Sequence, residues 1–192
     1  MNVTLIRHTA LQVPQGICYG QSDVDVAATF FAEVETLKSK LANMQFDAIY
    51  SSPLQRCTKL ADALQGTLNM ASYGVHPNLS ELHFGDWEMQ AWDDIPRDVF
   101  DEWAHNYAHI APPNGETFSQ MQQRVLDFLA EAQLQHAGQE IAIVTHGGVI
   151  RALIAHVLNM PLKGLFRFHI DHGGISRLEF GDAVPRVNFV NR

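Results

Sequence analysis

Four side chains with strong chemistry stand where short apolar runs stop. Arg7 and His8 follow Val3-Thr4-Leu5-Ile6, Arg56 closes Ser51-Ser52-Pro53-Leu54-Gln55, and His146 precedes Gly147-Gly148. An imidazole with an unprotonated nitrogen is a nucleophile or base near neutral pH. A guanidinium is a planar fork of donors that fits an oxyanion. Two of each around one point would suit a dianionic phosphate and its transfer. Taken singly, each is a common structural or solvated residue, so the inference rests on their placement.

That placement follows from the elements. Residues 2–6, 47–51 and 141–145 are apolar runs that read as buried strands, and the third carries β-branched residues suited to a central position. Between them, Phe30, Val34, Leu37, Leu41 and Met44, and later Phe118, Met121, Val125, Phe128 and Ala132, have the spacing of core-facing helix stripes. Alternating strands and helices predict an α/β fold, a three-layer α/β/α sandwich on a mostly parallel sheet. In such sheets ligands sit beyond the carboxyl ends of the strands, where the Arg and His residues fall. Ser52 as N-cap, Pro53 at the first helical position and Gln55 as capping-box partner predict a helix from Pro53, with Arg56 in its first turn. Gly147 and Gly148 would let the backbone after His146 approach a ligand, before Val149, Ile150, Leu153 and Val157 resume a helix.

The stretch from about 77 to 115 breaks this rhythm and reads as a small inserted helical cap within a single domain spanning 1–192. Its three tryptophans, Trp87, Trp92 and Trp103, fit a structural mini-core better than a cavity wall. The alternating segments Phe166–Ile170, Ile175–Phe180 and Arg186–Val190 are expected to be edge strands.

Composition narrows the function classes. The chain has 192 residues, 46% hydrophobic and 18% charged, with a net charge of -8 and no basic run, which argues against a nucleic-acid surface. No apolar run approaches a membrane span and the start lacks the pattern of a secretory signal, so a cytoplasmic location is expected, with no membrane partner. Cys18 and Cys57 lack the pairing of a zinc or disulfide framework and read as packed thiols. Among ten histidines, His105 and His109 stand at i, i+4, and His169 and His172 flank Asp171. Neither group has the spacing of a metal motif, and these histidines read as solvated surface residues; no metal and no cofactor are expected.

Leu5-Ile6-Arg7-His8-Thr9, Ser51 to Cys57, Glu81-Leu82-His83-Phe84-Gly85-Asp86-Trp87-Glu88 and Val144-Thr145-His146-Gly147-Gly148, in this order over nearly the whole chain, resemble the histidine phosphatase superfamily, the phosphoglycerate mutase-like enzymes. The resemblance implies a phosphohistidine intermediate formed without metal. It makes His8 the nucleophile, Arg7 and Arg56 the phosphate clamps, His146 the second pocket histidine and Glu81 the proton donor, with Glu88 a competing carboxylate of structural or substrate-contact character. A backbone carbonyl is expected to hold the second nitrogen of His8. Substrate contacts are expected at Arg7, Thr9, Gly20, Gln21, Arg56, His146 and Gly147. Two departures stand out: Thr9 where the family usually has Gly, and no Asn in 10–16. Gly16 to Asp23 resembles the family branch that contains α-ribazole phosphatases, and Pro113 to Thr117 resembles the family's cap-to-helix turn.

The expected substrate is therefore a small phosphomonoester, with α-ribazole 5′-phosphate in cobalamin nucleotide-loop assembly ahead of a broad small-molecule or sugar phosphatase. A phosphoglycerate mutase is the nearest rival, for which the cap is short, and a phosphoprotein substrate ranks lower. A homodimer stays open. From another class, a non-catalytic phosphoester-binding module is opposed by the intact set of His8, Glu81 and His146.

Overall fold

Each of the three apolar runs forms a strand covered on both faces. The computed structural model describes residues 1–68, 72–181 and 184–192. Its strands are β1 (Asn2–Arg7), β2 (Ala48–Ser51), β3 (Ser72–Val75), β4 (Glu140–Thr145), β5 (Ile175–Glu179) and β6 (Arg186–Phe189), in one sheet of order β3-β2-β4-β1-β5-β6. The first four strands of that order run parallel, whereas β5 is antiparallel to β1 and β6 to β5.

Period-2 alternation sends neighbouring side chains into two cores. Val3, Leu5, Ile141 and Ile143 face helices α4 (Phe118–Gln135) and α5 (Gly147–Val157), while Ile6, Ile49, Ala142 and Val144 face α1 (Phe30–Leu41, numbered first in chain order) and α2 (Gln55–Leu68). This is the expected α/β/α sandwich. The predicted stripes are the buried faces: Phe30, Val34, Leu37 and Leu41 in α1, and Phe118, Met121, Val125, Phe128 and Ala132 in α4, joined by Leu129. Met44 lies past the end of α1, in a turn. Each such buried Leu, Val or Phe contributes roughly 1.5–3 kcal/mol over leaving it exposed.

Three local expectations need correction. Helix α2 begins at Gln55, and the capping box does not form: Asp23 Oδ1 accepts from Gln55 N (2.7 Å), and the Gln55 side chain donates to Asp23 O (2.6 Å). The Ser52 hydroxyl is engaged instead with His146. Phe166–Ile170 is not a strand. It runs from the end of a 3-10 segment (Leu162–Arg167) into an extended loop whose carbonyls serve guanidinium groups, Ile170 O accepting from Arg7 and Phe168 O from Arg151. Strand β3 was not foreseen, because Ser-Tyr-Gly-Val is too short to show a period.

The inserted segment consists of 3-10 turns at Pro77–Leu79, Gly85–Trp87 and Trp92–Asp94 and one helix, α3 (Arg97–Asn106, preceding α4). Trp87 and Trp103 are buried and belong to the same apolar cluster as α4 and α5, with Trp92 packed against it. Trp103 stacks on Trp92 and meets Trp87 edge-on. No helix among the described residues is long and apolar enough to cross a membrane.

Candidate active site

Strand register brings the polar ends level. Arg7 is paired with Thr145, His8 N donates to Thr145 O (3.0 Å), and Ser52 N donates to Val144 O (3.0 Å). His8, Ser52 and His146 therefore leave the sheet together.

His8 is buried, and its Nδ1 lies 2.8 Å from the Thr9 carbonyl. A carbonyl only accepts, so Nδ1 carries the hydrogen and Nε2 keeps its lone pair. Burial, followed by the positive charges of Arg7 and Arg56, holds His8 well below the usual imidazole value, against the opposing Thr9 hydrogen bond. A neutral ring with a fixed tautomer and a free Nε2 is equipped for attack on phosphorus. Thr9 does not have positive φ, so its β-carbon is accommodated where the family usually has Gly. It is fully buried and supplies its carbonyl, while its hydroxyl has no partner.

Arg56 is completely buried. It donates to Gly20 O (2.6 Å), Ser22 O (2.8 Å) and His146 Nδ1 (3.3 Å), and its guanidinium lies 5.3 Å from the centre of the Tyr19 ring. Three of its five donors thus fasten the loop after Gly16 and the second histidine. Arg7 donates to Ile170 O (2.5 Å), Tyr19 Oη (3.4 Å) and His172 Nε2 (3.0 Å), whereas its buried Nε–H has no partner. An unpaired buried cationic donor costs at least about 1–3 kcal/mol, and this N–H suits an oxyanion acceptor.

His146 is fully buried at the N-cap of α5. Because Arg56 donates to Nδ1, the hydrogen lies on Nε2 and points at Ser52 Oγ (2.8 Å). The ring meets His8 edge-on at 5.2 Å, and burial, then Arg56, keep it neutral. Both nitrogens are engaged, so His146 braces Arg56 and His8 and has no free donor in this arrangement. Cys57 Sγ lies 3.5 Å from His146 Nε2. Both cysteines are buried free thiols, as expected; burial pushes Cys57 far up and Cys18 up to about 12.

Glu81 enters from the segment before α3. Its Oε1 accepts from Leu82 N (2.9 Å) and its Oε2 from Gly148 N (3.1 Å) in the first turn of α5. A β-carbon on Gly148 would lie 2.3 Å from Glu81 Oε1, and one on Gly147 3.0 Å from Arg151 Nη1 and 3.4 Å from Arg7 Nε. The two glycines thus admit pocket side chains, a more specific role than the backbone approach to ligand expected of them. Gln21 donates from its side chain to Glu81 O (2.8 Å) and from its backbone to Glu88 Oε1 (2.9 Å). Glu88 also accepts from Phe84 N and Ser22 Oγ, so this carboxylate is a structural tie. Gly20, at φ +40°, leaves the space that Glu88 occupies.

Three features went unrecognised in the sequence. His172, expected among solvated histidines, stands at the open edge of the pocket with its ring 5.3 Å from that of His8. His105 and His109 do lie away from the pocket, near Asp101 O and Ser119. Arg151, one turn into α5 from Gly147, approaches Arg7 and lies over the Phe166 ring at 5.4 Å. Phe166 in turn belongs to a cavity of about 280 Å³ lined by Phe84, Trp92, Phe100, Trp103, Ala104 and Tyr107. Trp87 is accordingly mini-core, while Trp92 and Trp103 are both packed in it and part of the cavity wall. Tertiary folding alone joins these residues; the one available cue was a Gly-Gly-x-x-Arg spacing on a helix.

An α/β sandwich with a neutral histidine set among arginines and a carboxylate at its strand ends defines a phosphatase. A family model, the histidine phosphatase superfamily (branch 1), matches residues 3–192, and the chain belongs to that family. It is 29% identical to the adenosylcobalamin/alpha-ribazole phosphatase of Escherichia coli (strain K12), covering all of this chain and 96% of that protein. It is 25% identical to the metal-independent phosphoserine phosphatase of Arabidopsis thaliana, over 84% of this chain and 71% of that one. The crystal structure of the alpha-ribazole phosphatase from Shigella flexneri superposes with a TM-score of 0.88 at 29% identity, over all of this chain and 96% of that one.

Proposed function

We propose that this phosphatase hydrolyses α-ribazole 5′-phosphate through a phosphohistidine on His8, without metal. The observation that carries the mechanism is the His8 ring itself, neutral and held by Thr9 O with Nε2 free beside the unpaired Nε–H of Arg7. In the first step Nε2 bonds to phosphorus as the P–O bond to the alcohol breaks, and the departing alkoxide takes a proton from Glu81. Arg7 and Arg56 stabilise the equatorial oxygens, together with the Gly147 N–H at the α5 N-terminus. His146 keeps Arg56 in place. In the second step water gives a proton to Glu81 and its oxygen to phosphorus, the P–N bond breaks, and phosphate leaves.

The substrate assignment is supported by the ring-lined cavity and by the two relatives named for alpha-ribazole. A planar fused-ring base fits walls of aromatic side chains. The residues expected to touch substrate divide accordingly: Arg7, Arg56 and Gly147 meet the phosphoryl group, while Thr9, Gly20, Gln21 and His146 shape the pocket. A second reading rests on Arg151, since a guanidinium between the phosphate pocket and the cavity also suits a carboxylate-bearing substrate such as phosphoserine.

The test is the initial rate on α-ribazole 5′-phosphate, phosphoserine, phosphoglycerates, nucleotides and sugar phosphates, all with chelator present. The expected outcome is a kcat/KM for α-ribazole 5′-phosphate at least about 100-fold above the rest, the size of a well-filled apolar pocket. Preference for phosphoserine would favour the second reading, uniformly weak rates would remove the substrate assignment, and loss of turnover in chelator would remove the metal-free mechanism.

A further inference from the structure

The turn after Ile170 does more than end the loop before β5. Gly173, at φ +64°, lets the chain fold back so that its N–H is shared between Arg7 O and His8 O (both 3.2 Å), while Arg7 N donates to Gly174 O (3.0 Å). Asp171 and Asn191 fix the turn from outside through Asp171 N to Asn191 Oδ1 and Asn191 Nδ2 to Asp171 Oδ2, both 2.7 Å. This brings His172 Nε2 to 3.0 Å from Arg7 Nη2, on the opposite nitrogen from the one that Ile170 O holds at 2.5 Å.

We infer that His172 is a positioning residue for phosphoryl transfer: its Nε2 fixes the rotation of the Arg7 guanidinium, so that the free Nε–H is aimed at the phosphoryl group being transferred. The inference rests on the proposed role of Arg7 and His8. A guanidinium has no acceptor, so His172 must present a lone pair. It does so at neutral pH, because burial of part of its ring and the adjacent Arg7 lower it to about 4, outweighing Glu33 and Asp171. Packing alone does not account for an imidazole here. Part of the residue reaches solvent, and among the described residues Arg7 is its hydrogen-bond partner. Without His172, Arg7 Nη2 keeps only the long 3.4 Å contact to Tyr19 Oη, a weaker hold on the guanidinium as charge develops, and small misplacements cost up to about 100-fold in rate.

Two substitutions separate the acceptor from the ring. His172→Phe keeps a ring beside His8 and removes the lone pair; His172→Gln keeps an acceptor at a similar reach and removes the ring. With p-nitrophenyl phosphate, His172→Phe is expected to lower kcat by about 10- to 50-fold with KM within about 3-fold, and to weaken orthovanadate inhibition by a similar factor. His172→Gln is expected within about 3-fold of the parent on all three measures. A fully active His172→Phe, or a His172→Gln as slow as the phenylalanine variant, would overturn the assignment. Phosphate labelling of His8 in the unsubstituted protein is measured in parallel. Its absence would count against the underlying mechanism, whereas intact labelling with unchanged variants would count against His172 alone.

Discussion

At the strand ends, Arg56 is wholly buried and held by two carbonyls and a histidine, and the nearby Arg7 is held by two of its nitrogens while its Nε–H has no partner. At α3, by contrast, the cavity wall is made of aromatic rings and Ala104, and the buried indole N–H of Trp103 has no partner. The first region fixes positions through directional bonds, many of them to backbone carbonyls. The second fixes only a shape. On the proposed function, phosphoryl chemistry belongs to the bonded region, and discrimination between leaving groups to the shaped one. Arg151 links the two: its Nη1 and Arg7 Nε flank the same Gly147, and its guanidinium lies over Phe166.

That division gives substitutions in the two regions different signatures. The largest effect is expected from Glu81→Gln, which removes the proton donor and keeps the size of the side chain and one of its two acceptor oxygens. Turnover of alkyl phosphates should fall by about 10²- to 10⁴-fold, and that of an aryl phosphate much less, since its leaving group needs little protonation. Equal losses on both, in steady-state kinetics, would count against Glu81 as the acid.

A smaller and selective effect is expected from Trp92→Leu in the cavity wall. It should lower kcat/KM for α-ribazole 5′-phosphate by roughly 10-fold, as for the loss of one good aromatic contact, and leave glycerol phosphate within about 2-fold. Equal losses on both substrates would merge the two regions into one.

The smallest effect concerns stability. His8 and His146 are held neutral in the fold but gain protons below about pH 6.5 when unfolded. Their folded values are depressed, so the folded state binds fewer protons, and stability falls as pH drops below about 6.5. Together the two approach a slope of about 2.7 kcal/mol per pH unit. In urea unfolding between pH 6.5 and 5, His8→Asn should reduce the slope by up to about 1.4 kcal/mol per unit; an unchanged slope would mean that His8 is already charged in the fold.

Much of the bonded region was legible because its residues lie at the ends of periodic elements. The stripes from Phe30 and Phe118 and the runs at 2–6 and 141–145 fix the layers, and the layers bring Arg7, His8 and His146 together. Less legible were contacts made by folding between distant segments. Ser52 and Gln55 form a good local capping box, yet Asp23 and His146 offered better partners, and the box gave way. Phe166–Ile170 alternates like a strand, but Arg7 and Arg151 take carbonyls from it. His172 looks like any surface histidine until Gly173 turns the chain back onto Arg7. The cavity wall was the less favoured reading of the tryptophans, because a cluster of aromatic residues in sequence says nothing about the space left between them.

The central claim is the covalent intermediate, and trapping it is the most direct measurement. Protein quenched in base during turnover of a phosphomonoester, digested and sequenced by mass spectrometry should carry phosphate on His8 and lose it on acid treatment. His8→Ala should carry none and lose activity by at least about 10⁴-fold. Phosphate on another residue, or undiminished labelling and turnover in His8→Ala, would contradict the account.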